Sequence, residues 1–124
     1  MANLIYKEEF YKIIGLCMEV HRHLGPGLLE IVYKDALEYE IKINNIPYAR
    51  EKEFTIKYKS VTLPHKYYAD FVVYDNIILE VKAAKGLAED FTKLVLNYMT
   101  LAKSRLGILV NFGEDSLQYK RYVL

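Results

Sequence analysis

Two apolar runs, DFVVYDNIILEVK (70–82) and LGILVNFG (106–113), flank one amphipathic segment and leave this chain few folds to choose from. Val, Ile, Leu and Phe dominate both runs, the composition of buried strands. The first run is broken at Asp75-Asn76, which predicts two strands over about 66–74 and 77–83 joined by a tight turn. Between the runs, Phe91, Leu94, Val95, Tyr98 and Ala102 recur at helical spacing and predict a helix over about 88–103. A hairpin, a crossover helix and a further strand make a mixed sheet. The near-continuous apolar LGILVNFG belongs inside that sheet, and SLQYKRYVL reads as a last strand at its edge, where Lys120 and Arg121 discourage pairing with other chains.

Upstream, Phe10, Ile13, Ile14, Cys17, Val20 and Leu24 lie on one face of a helix running from about residue 4 to 23. It stops at Leu24-Gly25-Pro26-Gly27, and a second helix follows over about 28–44, ending at Asn44-Asn45-Ile46-Pro47. The run REKEFTIKYKS alternates Phe54, Ile56 and Tyr58 against Thr55, Lys57 and Lys59, which predicts one strand with one wet face. The predicted order is ααβββαββ, an α/β domain.

The 124 residues suffice for one domain, 1–124, and are too few for two ordinary ones. The 17 basic and 16 acidic side chains nearly cancel, so contact with a polyanion has to be local. One cysteine, Cys17, allows neither an internal disulfide nor a thiolate cluster, and a reducing cytoplasmic setting fits. Lys7, Glu8, Glu9, Lys12 and Glu19 interrupt the first helix, which is therefore neither a signal peptide nor a membrane span. Glycine loops of the nucleotide-binding kind and a serine elbow are absent from the sequence, which removes support for those chemistries.

The charges inside the first apolar run carry the chemistry. Unpaired carboxylates in a sheet interior are costly, so Asp70, Glu80 and Lys82 must reach water, pair, or hold something positive. Glu80 and Lys82 are two apart and share a strand face. Asp70 joins them only if the paired residue numbers sum to an even value. A two-residue Asp75-Asn76 turn fails this condition; a three-residue loop pairing Val73 with Ile77, with Asn76 left-handed, meets it and sets Asp70 against Glu80. Two carboxylates so placed suit Mg²⁺ or Mn²⁺, with the Val81 backbone carbonyl as a further ligand. Lys82 would orient a water or stabilise charge growing on a phosphate. The plain alternative is a solvated cross-strand ion pair.

Gly27-Leu28-Leu29-Glu30-Ile31-Val32-Tyr33 has the form GxxExxY, and with YADFVVYDNIILEVKA and LNYMTLAKSRLGILVNFG it resembles the GxxExxY protein family, a branch of the PD-(D/E)xK nuclease-like superfamily. The resemblance runs from about Val20 to Gly113. It implies a restriction-endonuclease-like core of helix, three strands, helix and strand, here with an extra N-terminal helix and a C-terminal edge strand. It further implies that Asp70, Glu80 and Lys82 are the active-site residues, and that Glu30 in the first core helix is a further metal ligand or supports one. Tyr33 reads as a packing residue. Many members carry Gln four residues before the tyrosine matching Tyr98; this chain has Leu94, so that polar contact is missing.

Three functions remain in view. The first is a metal-dependent phosphodiesterase on nucleic acid, DNA foremost, using Mg²⁺ or Mn²⁺ and working as a homodimer if it must grip a duplex. The second is a nucleic-acid-binding module without turnover, and the third a protein-interaction domain. His21 and His23 read as capping or surface groups, and His65 as unpartnered.

Overall fold

The computed structural model describes residues 6–124. Three helices and seven strands follow in the order α1 (Lys7–Leu24), α2 (Glu30–Ile43), β1 (Tyr48–Phe54), β2 (Lys57–Tyr58), β3 (Val61–Thr62), β4 (Tyr67–Val73), β5 (Ile77–Lys82), α3 (Glu89–Ala102), β6 (Leu106–Asn111) and β7 (Gln118–Val123). Residues 4 and 5 of the expected first helix lie outside the described residues. Among the described residues, no helix is long and apolar enough to cross a membrane.

Five strands form a mixed sheet in the order β1-β4-β5-β6-β7. β5 and β6 are parallel across the α3 crossover, and every other neighbouring pair is antiparallel. The apolar run of β6 lies between β5 and β7 with every residue buried, while β7 closes one edge, as the sequence predicts.

The sheet is covered on both faces, which is why its central strands are mostly apolar, with Asp70, Glu80 and Lys82 among the exceptions. On one side α1 and α2 pack Ile13, Cys17, Tyr33 and Leu37 with Phe71, Leu79, Val81 and Ile108. On the other α3 packs Val95, Tyr98 and Met99 with Ala69, Val72, Ile78 and Leu109. This is the restriction-endonuclease-like α/β fold expected, with α1, β7 and the separate β2–β3 hairpin as the additions.

The stretch REKEFTIKYKS is not one strand. β1 ends at Phe54, and Lys57–Tyr58 turns back at Lys59, left-handed at φ 55°, to pair with Val61–Thr62. Ile56 and Tyr58 thus leave the main sheet. The alternation that suggested a continuous strand is shared by a short hairpin, and periodicity cannot tell the two apart.

Candidate functional site

The β4–β5 hairpin pairs Val73 with Ile77, Val72 with Ile78 and Phe71 with Leu79. This is the three-residue loop, with paired numbers of even sum. Its left-handed residues are Tyr74 (φ 52°) and Asp75 (φ 67°) rather than Asn76. The Asn76 amide closes the turn onto the Val73 carbonyl at 3.2 Å, the Tyr74 amide is held by the Pro47 carbonyl, and the Ser104 hydroxyl holds the Asn76 carbonyl. Those anchors, with the Tyr74 side chain packed against the core, offset a conformation tyrosine disfavours.

Beyond Phe71 and Leu79 the two strands part, and side chains take over from the ladder. The Asp70 amide donates to Glu80 Oε1 at 3.0 Å, and the Val81 amide donates to Asp70 Oδ2 at 2.8 Å. The partner strand breaks at the same rung. β1 and β4 pair from Tyr48↔Val73 to Arg50↔Phe71 and resume at Lys52↔Ala69, skipping Glu51 and Asp70. Glu51 is left-handed at φ 51°, a conformation that costs a non-glycine residue roughly 1–2 kcal/mol. Inward alternation slips by one there. Tyr48 and Phe71 pack toward α1 and α2, whereas Phe54 and Ala69, an even number of residues away on their strands, pack toward α3.

The freed carboxylates converge on Lys34, which α2 sends into the gap. Its Nζ lies 2.7 Å from Asp70 Oδ1, 2.9 Å from Glu51 Oε1 and 3.9 Å from Glu30 Oε2. Burial acts to lower the Lys34 pKa, but hydrogen bonds and charge from Asp70 and Glu51 outweigh it and raise it well above the ordinary lysine value. Glu80 is 2 % exposed. Burial first, then the hydrogen bond and charge of Asp70, push its pKa up to about 10, which favours its protonated form. Tyr98, from α3, is pushed up to about 12 by burial and by the nearby Glu80 and Asp70.

Lys82 lies on the Glu80 face of β5 and sets its ammonium 5.1 Å from the Phe91 ring centroid, close enough to favour ionised Glu80 slightly. Glu30 opens α2 and reaches the cluster only through Lys34. The GxxExxY stretch has a structural logic of its own. Gly27 takes φ 102°, a glycine conformation, and the Tyr33 hydroxyl donates to the Gly25 carbonyl at 2.6 Å while accepting from the Leu28 amide at 3.1 Å. Tyr33 also stacks on Phe112 at 4.7 Å, so it is a packing residue that fixes the turn before Glu30.

His21 and His65 depart from expectation, whereas His23 is the exposed surface group expected. His21 is buried, with Nε2 2.9 Å from the Glu114 carbonyl, because the β6–β7 connection covers the end of α1. His23 pairs with Glu19, and His65 rests against the Tyr67 ring at 4.6 Å. Leu94 is partly buried among the α3-side apolar residues.

A divalent ion finds oxygen donors here but no ready-made cage. Among the described residues, no group of three or more His, Cys, Asp or Glu is placed to hold a metal. The donor chemistry fits even so. Mg²⁺ binds through one or two carboxylates and keeps its waters, and the one lysine of this cluster offsets only part of the charge that its four acidic side chains can carry.

The model of a PD-(D/E)XK nuclease superfamily family matches residues 7–122. The chain belongs to the PD-(D/E)XK nuclease superfamily. The crystal structure of SSO0001 superposes on this PD-(D/E)XK chain with a TM-score of 0.57 at 24% identity, over 74% of this chain and 48% of that one. At that identity the likeness shows the fold, and the chain spans about half the length of the structure it matches. No curated protein matches it. Superfamily membership supports a nuclease function.

Lys34 and Glu51 were not singled out in the sequence. Lys34 sits four residues after Glu30, a helical spacing that puts both on one face; Glu51 had only its place in a charged strand as a signal.

Proposed function

We propose that this chain is a GxxExxY-branch nuclease that hydrolyses phosphodiester bonds of nucleic acid, DNA foremost, with Mg²⁺ or Mn²⁺. The observation that carries the reading is the meeting of Asp70 and Glu80, each accepting a backbone amide from the other's strand at the rung where β4 and β5 separate. Asp70 and Glu80 would hold the ion, with the Val81 carbonyl and Glu30 as further donors. An ion held there would act as a Lewis acid on the phosphate. Lys82 would donate to the phosphate oxygen that gains negative charge, steadied by Phe91. Lys34 pairs with the Asp70 carboxylate and holds its orientation. The protein would act as one domain in the cytoplasm, pairing with a second copy if its substrate is a duplex.

A second reading is a nucleic-acid-binding module on the same fold without turnover. It is favoured by Leu94, an apolar side chain where the resemblance to the GxxExxY family leads one to expect Gln, and by the Lys34 ammonium seated against Asp70.

Titrating Mn²⁺ calorimetrically into wild type and Asp70→Asn, beside cleavage of labelled oligonucleotides with and without chelator, tests both. The nuclease reading expects one Mn²⁺ site lost in the variant, and metal-dependent cleavage lost in Asp70→Asn and Glu80→Gln. Mn²⁺ binding without cleavage would favour the second reading. Cleavage undiminished in Glu80→Gln would reject the first.

A further inference from the structure

Between β1 and β4 the chain leaves the sheet and makes an arm, residues 55–66, on which no residue is buried. Its two short strands pair only with each other, as Lys57↔Thr62 and Tyr58↔Val61. An isolated hairpin is marginally stable in water, and this one adds little to the core, so folding does not account for it. Tyr58 is 58% exposed and Val61 54%. From Phe54 to Ala69 the sequence holds Lys57, Lys59, His65 and Lys66 and no Asp or Glu, although acids and bases are almost equally frequent in the whole chain. Lys66 makes an exposed 3.6 Å pair with Glu53 of β1. Among the described residues, Lys57 and Lys59 have no carboxylate within pairing distance, and the Lys59 ammonium lies 5.5 Å from the centre of the Tyr58 ring.

The arm is rooted beside the acidic cluster. Phe54 pairs with Tyr67 at its base, and Asp70 follows three residues along β4, about 10 Å at roughly 3.3 Å per residue. Because β4 and β5 are antiparallel, Lys82 at the end of β5 lies toward the same end of the sheet as that root. Tyr98, which touches the electrostatics of both Asp70 and Glu80, stands 6.5 Å from the Phe54 ring and 6.3 Å from the Tyr67 ring, and His65 packs on Tyr67. A strand with its phosphodiester at Asp70 and Glu80 would meet the arm within a few nucleotides, at roughly 3.4 Å of rise each.

We infer that the β2–β3 arm grips single-stranded nucleic acid, with Lys57, Lys59 and Lys66 on backbone phosphates and the exposed ring of Tyr58 stacking on a base. Lysines interleaved with an open aromatic face match the alternation of charge and flat apolar surface along such a strand. A duplex offers the phosphates but keeps its base faces stacked. The inference rests on the nucleic-acid reading above and goes beyond it in naming the surface and the form of the ligand.

The test is fluorescence anisotropy in chelator, using the full chain and a labelled 20-nucleotide single-stranded DNA. Wild type is set beside Lys57→Gln/Lys59→Gln/Lys66→Gln, Tyr58→Ser, and a control, Lys7→Gln/Lys12→Gln/Lys42→Gln, that removes the same charge from α1 and α2. The arm triple variant should bind at least about tenfold more weakly, with a log–log salt slope shallower by about 2. Tyr58→Ser should bind about fivefold or more weakly, in keeping with the loss of one stacked base. The control should stay within about twofold. No arm position is buried, so the variants should fold, as circular dichroism would verify. Wild-type binding that the arm variants leave intact, or that the control weakens equally, overturns the arm while sparing the nuclease reading. A duplex of the same sequence bound as tightly and indifferent to Tyr58→Ser overturns the single-strand assignment. Absence of wild-type binding to any oligonucleotide at low salt overturns the arm and the nucleic-acid reading together.

Discussion

Glu80 Oε1 accepts the Asp70 amide at 3.0 Å, at a rung where a regular hairpin would place a backbone carbonyl. The carboxyl group therefore belongs to the sheet as much as to the site, and its protonation is tied to folding. Its pKa in the fold, pushed up to about 10 by burial and by Asp70, exceeds its ordinary value of 4.5. A raised acid contributes its full stability below the unfolded pKa and loses it as pH rises toward the folded one. In chelator, the melting temperature of wild type should fall between pH 5 and pH 9 more steeply than that of Glu80→Gln, as thermal melts across that range would show. Parallel profiles would mean that Glu80 carries no such proton.

Lys34 is the counterion of this cluster. Replacing it by Met leaves Asp70 and Glu51 facing each other unpaired, and breaking a mostly buried pair costs about 3 kcal/mol. Urea titration in chelator should show that loss. Because Mn²⁺ can supply the missing charge, saturating metal should raise the melting point of Lys34→Met by more than that of wild type. Equal rises would separate Lys34 from the metal site.

Tyr33→Phe removes the hydroxyl that serves the Gly25 carbonyl and the Leu28 amide while keeping the ring on Phe112. Two backbone groups lose their partner, at a cost of about 1–3 kcal/mol. Chemical denaturation should detect it, and amide exchange at Leu28 should accelerate.

Two glycines should respond differently to alanine. A Cβ at Gly113 would stand 2.3 Å from the Ala84 carbonyl oxygen and 2.4 Å from its nitrogen, backbone that cannot step aside. At Gly107 it would meet the side chains of Met99 and Val95, at 2.5 Å and 2.7 Å, and methionine can repack. Gly113→Ala should cost about 3 kcal/mol and Gly107→Ala about half that, by equilibrium unfolding.

The central sheet was legible because its signals are local. The two apolar runs and the helix between them predict β4, β5, α3 and β6 from composition and period, and the parity of a three-residue loop suffices to bring Asp70 to Glu80. Lys34 was not legible: its partners Glu51 and Asp70 lie 17 and 36 residues away, and no spacing rule links a helix position to a rung of the sheet. The left-handed residues escaped for a related reason. Asn76 is the locally tolerant choice, but Pro47 and Ser104 hold the neighbouring backbone and move the strain to Tyr74 and Asp75. At β2 the alternation of Ile56 and Tyr58 was real, yet it described an arm facing water on both sides.

The missing rung between β1 and β4 deserves a mechanical reading. Glu51 and Asp70 drop out together, so pairing resumes beyond them in unchanged register, and the two strands stay joined above and below. The opening behaves like a buttonhole in cloth. It frees two carboxylates at the cost of a single row of bonds, and whatever passes through is framed by intact sheet on either side.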